Sequence, residues 1–433
     1  MKQYEIPYSR SALPVKLPEE RVDFIGTLPE TAGCAALKQE LKEKLERPTA
    51  GPALKDLLRP EQHIVILVED QTRHTPVKEI LPILCGYLAE HGCLLEQIEV
   101  LVAPGSHRIL TEQELLEKLG SFAMTNLKIS QHDYRDEKIL VELPKVRIGS
   151  MQIPVAVNRI AVEADLLIGT GNIIPHPNAG YSGGAKILCP GCCGKETVSA
   201  IHTAAALMGY LPLGMEENAC RSALEKVAGE AGLDFIINVV LDAENSVAGV
   251  VTGDFIQAHR AGTRMAKAAF GVPIPAPVDI LISCSYPYDA DYWQCEKAMI
   301  SGYFAVKKGG IMILAAPCLE GLAHNHDDLL DWLALDSEEA ARRIRRIWEN
   351  GGSGDLVAAA IALGAVMVRE KAEIFLCTTG LSREEADRMG CRYFSDLQEA
   401  VDAALAERPE GRVGILPRGG DCLPYEIGSV STG

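Results

Sequence analysis

The sequence predicts an α/β protein of two domains, each with a largely parallel sheet, and an active-site cleft between them. Apolar runs of strand length alternate with helical patterns along almost all of the 433 residues, which is typical of parallel sheets covered by helices. A chain of this length should form more than one hydrophobic core. The segment 271–277 holds three prolines and predicts a linker. We therefore expect one domain over residues 1–272 and a second over 273–433.

The first domain is predicted to repeat a strand, a loop and a helix. An apolar run at 63–68 predicts a buried strand, followed by a polar loop and a helix at 77–90. A second strand is expected at 98–103, and a capping box at 111–114 then begins the next helix. A third strand is expected at 164–169.

Polar loops follow all three of these strands, at 70–76, 104–108 and 171–186. The carboxyl ends of parallel strands meet at one edge of a sheet, and ligands bind there in such folds. We therefore expect the three loops to converge.

The second domain is predicted to begin with a strand at 278–283, a polar loop and a helix that carries Lys297. Further strands are expected at 311–316, 373–377 and 413–416. The sequence does not decide which domain takes the last of them, so about the last 20 residues are left open to pack back on the first domain.

Composition narrows the class of protein. The net charge of −17 argues against nucleic acid as the main partner, because phosphate binding needs a basic face. The amino terminus lacks the apolar core of a signal peptide, and no apolar run approaches the ~18 residues of a membrane span. The 13 scattered cysteines favour reduced thiols in a cytoplasmic protein. We expect neither a nucleic acid nor a membrane partner, and the sequence does not indicate an oligomeric state.

The most informative segment runs from His176 to Lys186 and is followed by His202 on a predicted helix. Its glycines allow backbone N–H groups to approach an anion or a flat cofactor. The lysine can supply a charge or a nucleophile, and the histidines can carry a proton or ligate a metal. Simpler explanations stay open. Lys186 could be an ordinary anion-binding lysine, and His202 could be a helix histidine near a core.

Charged side chains occupy the other two strand-end loops. Asp70 and Arg73 follow the first strand, and His107 follows the second. Arginine is the preferred bidentate partner of a carboxylate or a phosphate. An Asp–Arg pair that only braces the loop, and a purely structural His107, are the alternatives that the sequence leaves open.

Four motifs of this chain resemble those of the nickel-dependent lactate racemase family, over roughly residues 15–425. They are Asp70-x-Thr72-Arg73-x-x-Pro76, Gly105-Ser106-His107-Arg108, His176-Pro177-x-Ala179-Gly180-Tyr181-Ser182-Gly183-Gly184-x-Lys186-x-x-x-Pro190-Gly191 with His202 beyond it, and Tyr286-Pro287-x-Asp289-x-Asp291-x-x-Gln294-x-x-Lys297. The third motif is highly specific.

The resemblance implies a nickel-pincer nucleotide as cofactor, a pyridinium bisthiocarboxylic acid mononucleotide whose two thio-acid arms hold nickel. Lys186 would bind it, with covalent attachment through a thioamide left open because not every member makes that bond. His202 would be the protein ligand of nickel, a metal that imidazole suits. The other cofactor contacts would be Asp70 and Thr72 at the nucleotide portion and Gly180, Ser182, Gly183 and Gly184 in the loop. Proteins that synthesise the cofactor would be partners of the chain.

The resemblance also implies racemisation or epimerisation at C2 of a 2-hydroxy acid by hydride transfer to the cofactor. Two acid/bases must flank the substrate, and His107 and His176 would be that pair. Arg73 would clamp the substrate carboxylate. Substrate contacts from the second domain would be Trp293, Gln294 and Lys297. Trp293 stands where the lactate enzyme of the family has a tyrosine, so lactate and a larger or aromatic 2-hydroxy acid both stay open.

Two other functions are compatible with the same residues. One is a zinc-type hydrolase or lyase with His107, His176 and His202 as ligands, in which Lys186 and the glycine loop would have no role. The other is a non-catalytic protein that binds the nickel cofactor, for which Lys186, His202 and the loop would suffice.

Overall fold

The computed structural model describes residues 1–31, 33, 36–324, 326–350 and 354–428. The chain divides into two compact units. The central unit consists of Glu30–Ala205 and Gly214–Ala269. The carboxyl-terminal unit consists of Met1–Pro29, Ala206–Leu213 and the chain from Phe270 onward.

The strands follow one another along the chain. They are β1 (Lys2–Tyr8), β2 (Ser11–Leu17), β3 (Val22–Ile25), β4 (Ile64–Val68), β5 (Ile98–Val102), β6 (Lys128–Gln131), β7 (Leu140–Ile148), β8 (Met151–Asn158), β9 (Leu166–Asn172), β10 (Pro175–His176), β11 (Gly180–Tyr181), β12 (Leu233–Leu241), β13 (Val247–Gly253), β14 (Gly271–Ile274), β15 (Val278–Cys284), β16 (Val306–Ala315), β17 (Glu373–Cys377), β18 (Arg392–Phe394), β19 (Val413–Leu416) and β20 (Leu423–Glu426).

Helices separate most of these strands. They are α1 (Leu37–Glu46), α2 (Val77–Glu90), α3 (Glu112–Asn126), α4 (Arg159–Val162), α5 (Lys195–Ala206), α6 (Ala219–Glu230), α7 (Gln257–Phe270), α8 (Tyr292–Tyr303), α9 (Leu329–Leu333), α10 (Ser337–Asn350), α11 (Leu356–Lys371), α12 (Arg383–Arg388) and α13 (Leu397–Glu407). Short 3₁₀ turns occupy Glu19–Arg21, Leu54–Leu57, Leu95–Gln97, Glu137–Ile139 and Gly184–Ile187. Within the described part of the chain, no helix has both the length and the apolar character needed to cross a membrane.

The central unit is built on a six-stranded sheet in the order β13-β12-β9-β4-β5-β6. Its strands run parallel except for β13, which pairs antiparallel with β12. Strands β4, β5 and β9 are buried along their whole length, as expected of apolar strands covered on both faces. Because β4 lies between β9 and β5, the loops that follow these three strands begin side by side.

Two helices of this unit, α2 and α3, begin where the sequence predicted them. Helix α2 spans the predicted residues 77–90. At the start of α3 the Thr111 hydroxyl accepts from the Glu114 N–H, and the Glu114 carboxylate accepts from the Thr111 N–H at 2.8 Å. The predicted capping box is therefore present and determines where α3 begins.

The carboxyl-terminal unit is built on a second six-stranded sheet, in the order β18-β17-β16-β15-β19-β3, with every pair parallel. The hairpin of β1 and β2 packs on this sheet. Its side chains Ile6, Val15 and Leu17 are buried in one core with apolar residues of α13. Burial of these residues attaches the amino terminus to a sheet made mostly of residues beyond 270.

The carboxyl-terminal unit differs from the expected 273–433 domain, because it also takes up Met1–Pro29 and Ala206–Leu213. Strand β3 pairs with β19, so the first residues lie outside the expected 1–272 domain. Residues 271–274 were expected to be linker but form β14, which pairs in parallel with β20. Proline is tolerated in such a strand because an edge position needs fewer N–H donors. Strands β19 and β20, whose domain the sequence left open, both belong to this unit.

Candidate active site

The loops after β4, β5 and β9 hold most of the residues that the sequence singled out. The first loop meets the second where the Asp70 carboxylate bonds to the His107 ring. The second loop also contacts the segment after the third loop, where the Gly105 N–H donates to the Gly191 carbonyl at 3.0 Å. The first two loops therefore meet as expected, and the third begins beside them because β9 is next to β4.

Asp70 is a buried carboxylate that joins two of these loops. It is 3% exposed, lies 2.6 Å from His107 Nδ1, and accepts from the Thr72 hydroxyl at 2.5 Å and the Thr72 N–H at 3.1 Å. Burial by itself would raise the pKa of Asp70, but His107, Thr72 and Arg73 outweigh it and lower that pKa to about 2. Asp70 and Thr72 were expected at the nucleotide of a cofactor; here Asp70 bonds His107, and Thr72 bonds Asp70.

Arg73 lies beside this pair. Its guanidinium donates to the carbonyl and hydroxyl oxygens of Thr72, both at 3.1 Å. Lys118 of α3 donates to the Arg73 carbonyl at 2.6 Å and so supports the loop. Glu69, which was overlooked in the sequence, accepts from the Thr75 hydroxyl, and burial raises the pKa of Glu69. Glu69 comes directly before Asp70 at the end of a buried strand, and this position could have identified it as a candidate site residue.

His176 lies on β10, which forms a short hairpin with β11 and places His176 opposite Gly180. Its Nδ1 accepts from the Asn178 N–H at 3.2 Å, which puts the proton of the neutral ring on Nε2. In His107 the proton of the neutral ring lies on Nδ1 instead, because the Asp70 carboxylate there can only accept a hydrogen bond. The two histidines are therefore held in opposite tautomers.

The fold requires the glycines of this loop. Gly180, Gly183 and Gly184 have φ angles of +77°, +71° and +58°, in the left-handed region that favours glycine. A Cβ on Gly180 would lie 1.9 Å from the Met215 carbonyl oxygen, and one on Gly184 would lie 2.8 Å from the His259 ring. A side chain at these positions would displace the loop.

Ser182 also serves the loop. Its hydroxyl donates to the Asn172 carbonyl at 2.7 Å and accepts from the Ile174 N–H at 3.0 Å. The His259 Nε2 donates to the Ser182 carbonyl at 2.8 Å. Ser182 was expected beside a cofactor, but its hydroxyl is engaged with the backbone that precedes the loop.

Lys186 lies in the 3₁₀ turn Gly184–Ile187. Burial is the main reason that the pKa of Lys186 falls to about 8, and the positive charges of Arg73 and Arg221 lower it further, while Cys220 and Glu69 oppose them. At pH 7 about a tenth of such an amine is unprotonated, against about one in three thousand for an ordinary lysine. The amine is therefore a better nucleophile than a surface lysine.

His202 lies on α5, as expected. Its Nδ1 donates to the Val198 carbonyl one turn earlier, at 2.8 Å. This bond leaves the ring lone pair on Nε2, which is the usual arrangement of metal-ligating histidines. His202 is therefore oriented as a ligand would be.

Some buried polar side-chain atoms lack a hydrogen-bond partner. Within the described residues they are Thr31 Oγ1, Asn172 Oδ1, Thr203 Oγ1, Arg221 Nε and Arg260 Nε. Asn172 ends β9 and Thr203 follows His202, so two of the five lie next to candidate site residues in the sequence. Buried polar atoms are nearly always paired, and the chemistry of the His202 imidazole and the Lys186 amine fits a polar organic cofactor that carries a metal.

The three motif histidines do not form a metal site by themselves. In the part of the chain that the structure describes, no group of three or more His, Cys, Asp or Glu side chains is arranged to hold a metal ion. The zinc-type hydrolase or lyase therefore lacks its ligand set. A metal held by one histidine and an organic cofactor does not need such a cluster.

Trp293, Gln294 and Lys297 lie at the amino-terminal end of α8, in the carboxyl-terminal unit. The Asp291 side chain begins this helix by accepting from the Gln294 N–H at 2.9 Å. Lys297 Nζ donates to the Gln294 side-chain oxygen at 2.7 Å and lies 3.8 Å from the centre of the Tyr288 ring, within the range of a cation–π contact.

Trp293 packs on a histidine that the motifs do not include. Its ring stacks on His326, with centroids 4.0 Å apart and planes inclined by 10°. His326 Nδ1 lies 2.5 Å from an Asp355 carboxylate oxygen, and Asp355 in turn caps α11. The orientation of Trp293 is therefore tied to the start of another helix, a link that no local pattern in the sequence reveals.

Comparison with known sequences points to one family. Residues 8–209 match the family model described as the lactate racemase N-terminal domain. The chain is 32% identical over 345 residues to the lactate racemase of Lactiplantibacillus plantarum, covering 76% of this chain and 80% of that enzyme. It is 29% identical over 430 residues to the lactate racemase of Thermoanaerobacterium thermosaccharolyticum, covering 97% and 98%.

Solved structures share the fold. The lactate racemase apoprotein from Thermoanaerobacterium thermosaccharolyticum matches with a TM-score of 0.85 at 28% identity, covering 98% of this chain and 100% of that one. A protein from Thermotoga maritima matches with a TM-score of 0.70 at 20% identity, covering 92% and 100%, and this likeness shows the fold alone. The predicted α/β fold with largely parallel sheets is confirmed.

Proposed function

This chain belongs to the lactate racemase family, and we propose that it interconverts the stereoisomers at C2 of a 2-hydroxy acid. Its relatives make it an isomerase of the racemase type. Because those relatives are named for lactate, lactate is the first substrate to test. The hydride-transfer chemistry and the roles of single residues below are parts of the same proposal.

The bond between His107 and Asp70 carries the proposal. A base must take the hydroxyl proton of the substrate while hydride leaves C2. Asp70 keeps a proton on His107 Nδ1, so that Nε2 offers the lone pair that accepts the hydroxyl proton. The carboxylate then stabilises the imidazolium, as in other Asp–His pairs. The 2.6 Å distance and the lowered pKa of Asp70 support this role.

His176 is proposed as the second acid/base, from the opposite tautomer. With its Nδ1 accepting from Asn178, it presents an N–H that can donate to the substrate oxygen. To take up a proton in its turn it must release the Asn178 N–H, a hydrogen bond worth about 1 kcal/mol. His107 needs no such release, because the Asp70 carboxylate bonds its Nδ1 and not its Nε2.

Arg73 is proposed to bind the substrate carboxylate. Its planar guanidinium can form two parallel hydrogen bonds to such a group, and its position beside Asp70 and His107 supports this assignment. A fixed carboxylate would direct the C2 hydroxyl toward a base. We also retain Trp293, Gln294 and Lys297 as proposed substrate contacts.

Lys186, His202 and the loop Gly180–Gly184 are the residues that would hold a nickel-pincer nucleotide. When bound, this group would supply the hydride acceptor, which no amino-acid side chain provides. His202 would ligate nickel through Nε2, and the lowered pKa of Lys186 supports contact or covalent attachment there. Proteins that synthesise the cofactor would then act before this enzyme, in the cytoplasm, where scattered cysteines stay reduced.

Trp293, as a proposed substrate contact, bears on the class of substrate. A stacked indole suits contact with an apolar or aromatic substituent on C2. We therefore propose that larger 2-hydroxy acids are substrates beside lactate.

The test uses protein produced together with the cofactor-synthesis proteins. Single enantiomers of lactate, 2-hydroxyisocaproate and phenyllactate are incubated with it, and chiral chromatography follows the loss of enantiomeric purity. At least one should racemise, and metal analysis should find stoichiometric nickel. A His107→Ala, His176→Ala double variant is the control, which should keep its nickel and lose racemisation.

Other results would identify the other two functions. Tight nickel-cofactor binding without turnover of any 2-hydroxy acid would indicate the non-catalytic cofactor-binding protein. Stoichiometric zinc without nickel would indicate the hydrolase or lyase. Full racemase activity in the double variant would exclude the two-histidine mechanism.

A further inference from the structure

A charged side chain with no part in the proposed chemistry is buried against the loop Gly180–Lys186. Arg221, near the start of α6, is 0% exposed. Its guanidinium donates to the carbonyl oxygens of Tyr181 and Gly183, the latter at 3.1 Å. No carboxylate among the described residues forms an ion pair with it. The Glu225 carboxylate, one turn further along α6, partly offsets this charge through space, but burying a charge that is not ion-paired costs several kcal/mol, so the presence of Arg221 here needs an explanation.

The position of Arg221 is itself well determined. The Arg221 N–H donates at 2.8 Å to the side chain of Asn218, which caps α6. Burial lowers the pKa of Arg221 to about 10, which still leaves the guanidinium charged at neutral pH. The helix thus presents a fixed cation to the loop.

The bond to Gly183 leads directly to Lys186. The Gly183 carbonyl accepts from Arg221 and also from the backbone N–H of Lys186, at 3.2 Å. The N–H of the same peptide unit belongs to Gly184 and donates to Asn238 Oδ1 at 2.7 Å. The peptide between Gly183 and Gly184 is therefore held at both ends, immediately before the turn that carries the lysine.

Arg221 also acts on the Lys186 amine through its charge. Two segments bring charged or titratable groups to this amine: the end of β4 and its loop contribute Glu69 and Arg73, and α6 contributes Cys220 and Arg221. The two arginines disfavour the ammonium form, whereas Glu69 and Cys220 favour it. A neutral residue in place of Arg221 could brace the loop but could not have this electrostatic effect.

We propose that Arg221 is the positioning residue of the cofactor loop, which holds Lys186 in place through the loop carbonyls and sets a fixed positive charge beside its amine before the cofactor arrives. The inference deepens the proposed function and rests on it, since the loop is taken as the cofactor site. Arginine suits this task because its planar fork bonds two carbonyls and never loses its charge at physiological pH.

Arg221→Met and Arg221→Lys separate the effect of the hydrogen bonds to the loop from the effect of the positive charge on the Lys186 amine. Methionine removes the charge and both loop bonds, whereas lysine keeps the charge without the planar fork. Acetic anhydride acylates only unprotonated amines, with acetate leaving and the amine losing a proton. Its rate of reaction with Lys186 is measured by mass spectrometry in cofactor-free protein, from neutral to alkaline pH. Lys226, exposed on the same helix, is the internal reference.

In the wild-type protein the rate at Lys186 should rise with a midpoint near pH 8. Arg221→Met should move the midpoint upward and slow the reaction at neutral pH by about three- to tenfold. Arg221→Lys should keep the midpoint close to that of the wild type. Amide hydrogen exchange over 183–187 should be faster in both variants, and Lys226 should be unaffected.

An unchanged Lys186 midpoint in folded Arg221→Met would overturn the proposal. If that variant does not fold, Arg221→Lys decides, and a midpoint typical of an exposed lysine would overturn the proposal in the same way. If amide hydrogen exchange over 183–187 is no faster in Arg221→Lys than in the wild type, Arg221 does not hold the loop in place. No 2-hydroxy acid or cofactor is present in these measurements, so a failure to racemise any substrate would count against the proposed function alone.

Discussion

In the central unit the loop Gly180–Lys186 is held through its own backbone atoms, whereas in the carboxyl-terminal unit the residues at the start of α8 are held through their side chains. The loop depends on left-handed glycines and on carbonyls bonded to Arg221. At α8, Trp293 stacks on His326, and Lys297 bonds to Gln294. Backbone contacts tolerate few substitutions, while side-chain contacts can be changed one residue at a time. The first arrangement suits chemistry that must not vary, and the second suits substrate selection.

The largest expected effect is in the central unit, where His107→Ala removes the proposed base. Loss of a general base typically lowers kcat by about 10²–10⁴-fold. Racemisation by cofactor-loaded protein measures this loss. His63→Ala is the control, because His63 lies at the opposite end of β4 from Asp70. A kcat within twofold of the wild type would show that His107 is not the base.

The backbone-held loop should not accept even one methyl group at Gly180. Gly180→Ala combines a positive φ of +77° with a Cβ 1.9 Å from the Met215 carbonyl. We expect a loss of about 3 kcal/mol or more in the free energy of unfolding, measured by urea denaturation.

Gly149→Ala is the matched control for this change. Gly149 has a similar φ of +56° but nothing within 4 Å of its Cβ position, so its cost should be only about 1 kcal/mol. Equal losses for the two variants would mean that packing at Gly180 contributes nothing.

Asp70→Asn tests a place where two of the central loops are joined by side chains, the bond between Asp70 and His107. Because the pKa of Asp70 is lowered from 3.8 to about 2, its ionised form stabilises the folded protein above pH 3.8, and this is lost as the pH falls through about 2. The shift corresponds to about 2 kcal/mol. The fall in the free energy of unfolding from neutral to strongly acid pH should be smaller by that amount in Asp70→Asn.

Asp56→Asn is the matched control, because it makes the same substitution at an exposed position away from the three loops. An acid sensitivity of Asp70→Asn equal to that of the wild type would contradict the Asp70–His107 bond.

The smallest expected effect is at α8. His326→Ala removes the ring on which Trp293 stacks, a contact worth about 0.5–1.5 kcal/mol. The ratio of kcat/KM for phenyllactate to that for lactate should change several-fold, mostly through KM. His324→Ala, two residues earlier and exposed, should leave that ratio unaffected. A loss of kcat as large as that of His107→Ala would break the distinction between the two regions.

Local patterns were enough to predict many elements and the broad location of the site. The apolar runs at β4, β5 and β9 and the capping box at α3 depend on neighbouring residues alone. The convergence of the polar loops at one edge then followed from the geometry of parallel sheets. These predictions needed no knowledge of distant contacts.

Features that depend on distant contacts were not predictable. The residues of β14 resembled a linker because their partner strand, β20, lies about 150 residues later. Arg221 carries no local sign of burial, since its carbonyl partners come from another segment. The role of Asp70 was likewise hidden, because the sequence does not show which loop side chain will reach its carboxylate.

The route of the chain between its two units limits how such enzymes can be recombined. The polypeptide passes from one unit to the other at 29–30, 205–206, 213–214 and 269–270. No single cut in the gene can therefore yield either unit whole. A chimera that borrows its carboxyl-terminal unit from a relative must exchange three segments together, Met1–Pro29, Ala206–Leu213 and the chain from Phe270 onward. One of those junctions falls only a turn of helix beyond His202, so recombination there would have to preserve the end of α5.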